Sequence, residues 1–167
     1  MGLADAVRDM RTIKALMTGA EAEARSRGEQ VPGPEHLLLA ATALPDGTAA
    51  RALRQVGVDA EQLRQAIDRV HADALAPLGI GADPLAGAAA DLRGPATGPL
   101  RSTPQAQQVF QEAVALSKST RPSRLRGAHV VVAASRLDAG TLPRALAGLG
   151  VDRAGLRAAA SAEAGTD

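Results

Sequence analysis

Three histidines, His36, His71 and His129, are the side chains of this sequence best suited to acid–base or metal chemistry. A general base needs a partner within hydrogen-bond reach, and a zinc centre needs three or four ligands. His36 and His129 each open an apolar run, with no second histidine close by in sequence. The chain has no cysteine, which excludes disulfides, thiolate metal sites and cysteine catalysis. His36 and His129 therefore read as packed rings that hydrogen-bond to backbone, and His71 as an isolated surface residue. Asp59 and Asp152 could be taken for a carboxylate pair. Each follows Gly-Val and precedes a helical pattern, which is the position of an N-cap. Ser102, Ser117 and Ser135 lack a G-x-S-x-G nucleophile elbow. No G-x-x-x-x-G-K-[ST] occurs, so nothing cradles the phosphates of ATP. Lys118, Arg121, Arg124 and Arg126 form a basic cluster, either a solvated loop or a docking patch for an acidic partner. No aromatic platform accompanies it, which argues against single-stranded nucleic acid. The expectation is a protein that is not an enzyme and takes no cofactor and no metal.

The spacing of these residues says more than their chemistry. His36 recurs as His129, 93 residues on. At the same shift and without a gap, Leu44 recurs as Leu137, Gly47-Thr48 as Gly140-Thr141, and Arg51-Ala52-Leu53 as Arg144-Ala145-Leu146. Gly57-Val58-Asp59 recurs as Gly150-Val151-Asp152, and Leu63-Arg64 as Leu156-Arg157. Uncommon residues kept in order over this distance mark an internal duplication.

Each copy predicts four helices. In the first, Ile13, Leu16, Met17, Ala20 and Ala24 form one stripe over 9–27, and Gly28 is a C-terminal cap. Met1 to Arg8 is a lead-in or an extension of that helix. Pro34 suits the first position of the second helix, which carries Leu37, Ala40, Ala41 and Leu44, with Leu38 and Leu39 beside them. It is apolar nearly all round and so should be central. Thr48 is placed to cap a third helix with Ala52, Leu53 and Val56 inward, closed by Gly57. Asp59 with Gln62 forms a capping box for a fourth, with Leu63, Ala66, Ile67 and Val70 inward. The second copy repeats these stripes from Thr103-Pro104 onward.

The expected organisation is one all-α domain over 1–167, made of two tandem four-helix repeats around a pseudo-two-fold axis. Repeat one spans 9–76, a Gly/Pro-rich connector 77–102, repeat two 103–162 and a polar tail 163–167. Phe110 is the one aromatic residue, so the core must be Leu, Val, Ile and Ala. With 19 basic and 18 acidic residues the net charge is +1, which leaves no footprint for nucleic acid or membrane. There is neither an apolar run long enough to span a bilayer nor a basic-then-apolar leader. A cytoplasmic location is expected.

The residues Glu35-His36-Leu37-Leu38-Leu39 with Gly57-Val58-Asp59, and the copy Gly127-Ala128-His129-Val130 with Gly150-Val151-Asp152, resemble the N-terminal repeat domain of the Clp unfoldases, nearest in type to ClpC and ClpA. The likeness runs from about Asp9 to Ala162. It implies an eight-helix domain that binds proteins or peptides. The family's opening aromatic falls on Asp9 and Ser102 here. The Thr-Glu pair before the family's histidine, which helps hold phosphoarginine, falls on Pro34-Glu35 and on Gly127-Ala128. By that resemblance Gly33, Pro34, Glu35, Arg126, Gly127 and Ala128 are the ligand-binding positions. His36, His129, Asp59, Asp152, Gly57 and Gly150 are the structural motif. Glu35 alone keeps the carboxylate that pairs with a guanidinium, and Arg126 adds a positive charge where Ala128 has lost it.

With no ATPase motif present, the resemblance implies a stand-alone N-domain. It would act as adaptor, client-binding factor or decoy for a Clp unfoldase-protease. Its partners would be Clp components, adaptors, client peptides or cyclic peptide ligands. The alternatives are a regulatory or structural helical repeat that has drifted from Clp, and a Clp-associated hydrolase.

Overall fold

The computed structural model describes residues 2–79 and 101–166. Among them are eight α-helices, one short 3-10 turn and no strand. The helices are α1 (Leu3–Ser26), α2 (Pro34–Thr42), α3 (Thr48–Gln55), α4 (Ala60–Leu75), α5 (Pro104–Ser119), α6 (Gly127–Ala134), α7 (Thr141–Gly148) and α8 (Arg153–Ala164). The 3-10 turn, Ala76–Leu78, extends α4. Most of the segment expected as a connector, 80–100, lies outside the described residues.

The helix ends follow from local chemistry. Asp59 Oδ1 accepts from the Gln62 N–H at 2.8 Å, and Gln62 Oε1 accepts from the Asp59 N–H at 2.9 Å. This reciprocal pair satisfies two of the free donors of the first turn of α4. Asp152 does the same work for α8, accepting from the N–H groups of Ala154 and Gly155. Gly57 and Gly150 sit at φ 78° and 69°, where an L side chain is strained. The next residue's N–H reaches back five positions, Val58 to Leu53 and Val151 to Leu146, which closes α3 and α7 in Schellman turns. Thr103 Oγ1 accepts from the Ala106 N–H and starts α5 ahead of Pro104. The extra turns Leu3 to Arg8 belong to α1.

Packing is organised on α2 and α6. Every residue from Pro34 to Ala41 and from Gly127 to Ala134 is buried. Both helices are thus enclosed on all sides, α2 by α1 and α6 by α5 and α8. Across the halves the helices exchange partners, α3 packing on α8 and α4 on α7. That exchange is the pattern a two-fold relation between the halves would produce. Arg51 Nε and Gln55 Nε2 donate to the Glu163 carboxylate at 2.8 and 3.0 Å and tie α3 to α8. Glu23 accepts from Arg27 and from Arg64, which ties α1 to α4. Burial raises the Glu23 pKa, but the bonds and charges of Arg64 and Arg27 more than offset it and hold it below the usual carboxylate range.

Thr48 does not cap α3 with its own side chain, contrary to the sequence expectation. The N-cap is Gly47, and Asp46 Oδ1 accepts from both the N–H and the hydroxyl of Thr48, at 2.8 and 2.5 Å. An aspartate two residues upstream is the stronger acceptor and takes the hydroxyl proton, which leaves the Thr48 oxygen to accept from a distant donor.

A core of Leu, Val, Ile and Ala with one partly buried Phe110 packs well only if backbones approach closely. A Cβ at Gly127 would lie 2.8 Å from the Ala41 carbonyl oxygen and 2.9 Å from Ala49 Cβ. At Gly148, in the last turn of α7, it would meet nothing within 4 Å. We expect Gly127→Ala to lower unfolding free energy by about 1–3 kcal/mol. Gly148→Ala should raise it by up to about 1 kcal/mol. Urea denaturation of both variants checks the pair, and equal effects would refute this account of the α2–α6 contact.

Candidate functional site

The residues expected to bind ligand lie at the starts of α2 and α6. Each start uses the same device. Gly33 is the N-cap of α2, and its N–H donates to His36 Nδ1 at 2.9 Å. Arg126 is the N-cap of α6, and its N–H donates to His129 Nδ1 at 3.0 Å. Both rings are fully buried. With Nδ1 accepting, the ring proton must sit on Nε2 in the neutral form. Burial pushes the His129 pKa below the ordinary imidazole range, and the Arg126 charge adds to that against Asp46 and Asp9.

Beyond this device the two ends differ. At α6 the Gly127 N–H donates to Asp46 Oδ2 at 3.2 Å, and the Ala128 N–H donates to Thr48 Oγ1 at 2.8 Å. Asp46 and Thr48 belong to the first half of the chain. They occupy the free donors and the positive end of the helix dipole where an anionic ligand would sit. Gly127 and Ala128 are buried, and Arg126 Nη1 donates to the Glu163 carbonyl at 3.4 Å. The three positions of the second half are engaged within the fold. The 93-residue shift places Ala139 opposite Asp46, so the first half receives no matching carboxylate.

At α2, Pro34 has no N–H to offer. The Glu35 carboxylate folds back over Gly33, and a Cβ there would meet its oxygens at 2.7 and 2.8 Å. Glu35 is only 6% exposed. Two residues that sequence reading passed over converge on it. Glu29, in the turn after α1, and His71, on α4, bring one donor atom each within 4.8 Å of a Glu35 oxygen and of one another. Glu29 Oε1 is 3.3 Å from His71 Nδ1, so His71 is not the isolated surface residue expected from sequence. Burial raises the Glu29 pKa, but the His36 N–H and the charges of His36, His71 and Arg27 outweigh it and hold it below the ordinary carboxylate value.

The basic cluster does not form one patch. Lys118 and Arg121 are exposed, Arg124 lies 4.0 Å from Asp5, and Arg126 turns to α8. Among the described residues, no helix is long and apolar enough to cross a membrane.

Residues 11–92 match the family model of the Clp repeat (R) N-terminal domain. The chain carries a Clp repeat N-terminal domain. The match spans the first half, the half that keeps Glu35-His36. The fold of this Clp repeat protein is also similar to a crystal structure, that of the N-terminal domain of the caseinolytic protease associated chaperone ClpD from Arabidopsis thaliana. The TM-score is 0.61 at 20% identity, over 97% of this chain and 97% of that one, so the likeness is one of fold. No curated protein matches the sequence.

Two outcomes follow from the sealed α6 start. Thr48→Val removes the acceptor of the buried Ala128 N–H and should cost about 1–3 kcal/mol in urea unfolding. Burial holds the His129 pKa in the folded chain below the ordinary imidazole value of about 6.5. The unfolded chain therefore takes up the proton first on acidification, so this contribution is complete above about pH 6.5 and is lost as pH falls below it. His129→Gln should flatten the slope of stability between about pH 7 and pH 5. An unchanged slope would assign the acid sensitivity to other groups.

Proposed function

We propose that this Clp repeat protein is a non-catalytic protein- and peptide-binding module. It would serve a Clp unfoldase-protease in the cytoplasm as adaptor, client-binding factor or decoy. The observation that carries this reading is the Clp repeat match over 11–92, on a chain similar in fold to a Clp chaperone N-domain. The chemistry agrees with it. The polar side chains that sequence singles out serve as caps and inter-half links, and the buried histidines hydrogen-bond to backbone.

On this reading residues 1–167 act as one domain, and binding is asymmetric. The first half offers Gly33, Pro34 and Glu35 at an α2 start that no carboxylate from the second half closes. The second half has given Arg126, Gly127 and Ala128 to internal contacts. A partner would be read at α2 and along the neighbouring groove where Met17, Glu21, Pro32 and Leu37 meet Ser102 and Ala106. Its complementary group is an apolar peptide edge flanked by charge, since Glu21 and Arg101 line this groove and Glu35 is nearly buried beside it.

A reconstituted degradation assay tests this. The purified chain is added to a Clp unfoldase-protease degrading unfolded casein, and its binding to each component is measured by titration. An adaptor raises the rate and a decoy lowers it, with saturation at the measured Kd. No binding to the unfoldase, the protease or casein, together with an unchanged rate, would overturn the proposal. Casein cleavage by the chain alone would overturn its non-catalytic part.

A further inference from the structure

The convergence of Glu29, Glu35 and His71 is unexplained by helix capping and by the binding role above. Three elements bring these residues together: the turn after α1, the first turn of α2, and α4. One donor atom from each lies within 4.8 Å of the others. Two carboxylates meet here, and the local cation, Arg27, is already held by Glu23 and Asp68 at 2.8 Å each. Two carboxylates and an imidazole gathered in one partly buried cleft attract a cation.

An independent feature points the same way. His36 is fully buried, and its Nε2 has no hydrogen-bond partner among the described residues. Nδ1 is committed to the Gly33 N–H, so the proton is on Nε2 and Nε2 faces Glu29 Oε1 at 3.5 Å. Glu29 Oε1 is itself a buried oxygen without a hydrogen bond. A buried donor facing a buried carboxylate oxygen at 3.5 Å, longer than a well-formed hydrogen bond, is the arrangement of an outer partner that steadies a metal-binding carboxylate. In the second half His129 has the same tautomer, but the positions of Glu29 and Glu35 fall on Pro122 and Ala128, which offer no ligand.

We propose that Glu29, Glu35 and His71 form a site for a first-row divalent transition-metal ion, with His36 holding the Glu29 carboxylate in place. Imidazole with two carboxylates suits Zn2+ and its neighbours better than Mg2+, which favours oxygen ligands and keeps its waters. Ligands at about 2.0–2.1 Å from a tetrahedral ion lie roughly 3.3 Å apart. The Glu29–His71 pair is already at 3.3 Å. A tetrahedral ion requires the Glu35 carboxylate to move toward this pair from its place over Gly33. Three protein ligands leave one position open, and the half-exposed rim at Glu29 and His71 connects it to solvent.

The inference shares Glu35 with the Clp-binding reading, but it concerns a ligand the chain takes alone and is tested without any Clp component. The test is titration of the untagged, chelator-treated full chain with Zn2+, read by calorimetry and by the shift in Tm. The expected result is one Zn2+ per chain, a raised Tm, and no competition from millimolar Mg2+. Glu29→Gln and His71→Gln are both on the rim, and each should weaken Zn2+ binding by at least about tenfold while leaving the metal-free circular dichroism spectrum unchanged. Glu163→Gln, a carboxylate elsewhere, should bind like the parent. No stoichiometric binding, binding that Mg2+ displaces, or equal affinity in parent, Glu29→Gln and His71→Gln overturns the proposal. Should one rim variant fail to fold, the other decides.

Discussion

The approach of α6 to α2 and α3 sets the terms for the rest of the molecule. Gly127 lies so close to the Ala41 carbonyl and to Ala49 that a single methyl does not fit. Gly19 of α1 stands equally near Ala40 on the other side of α2. A chain with one aromatic residue has no large rings with which to fill a wide core. It reaches native packing density by bringing backbones together over alanine and glycine. Both central helices are consequently buried on every side, and the remaining six wrap them.

That closeness explains why the two halves, alike in sequence, are unlike in chemistry. Once α6 is pressed onto the α2–α3 turn, its first N–H groups cannot reach water. Buried donors must be satisfied, and Asp46 and Thr48 are the groups within range. The helix start that could have met an anionic ligand becomes an internal joint. At the start of α2, Ala139 stands where a second Asp46 would be needed, and the chain's own Glu35 carboxylate lies over Gly33 instead.

Around α2 the same burial produces the opposite result. Glu35 is drawn under the turn after α1, toward Glu29 and His71, and the His36 ring lies behind them. Two carboxylates are gathered there beside the imidazoles of His36 and His71. A client-binding surface and a cation site would be neighbours, built from one helix start. Whether they communicate depends on Glu35, which belongs to both.

Much of this was legible in the sequence because it is governed by residues a few positions apart. The caps at Asp59 and Asp152 and the turns at Gly57 and Gly150 are local events. So is the pairing of His36 with the Gly33 N–H and of His129 with the Arg126 N–H. The buried stripes of α1, α4 and α5 follow from helical periodicity alone. What the sequence could not show involves partners far apart along the chain. Thr48 reads as a cap for its own helix, yet its hydroxyl serves Ala128, 80 residues away. His71 reads as isolated because Glu29 lies on another element. Periodicity says which face of a helix turns inward, but not which residue of another helix it will meet. That was decided by tertiary packing, where close backbone approach leaves each buried polar group only the partners within about 3 Å.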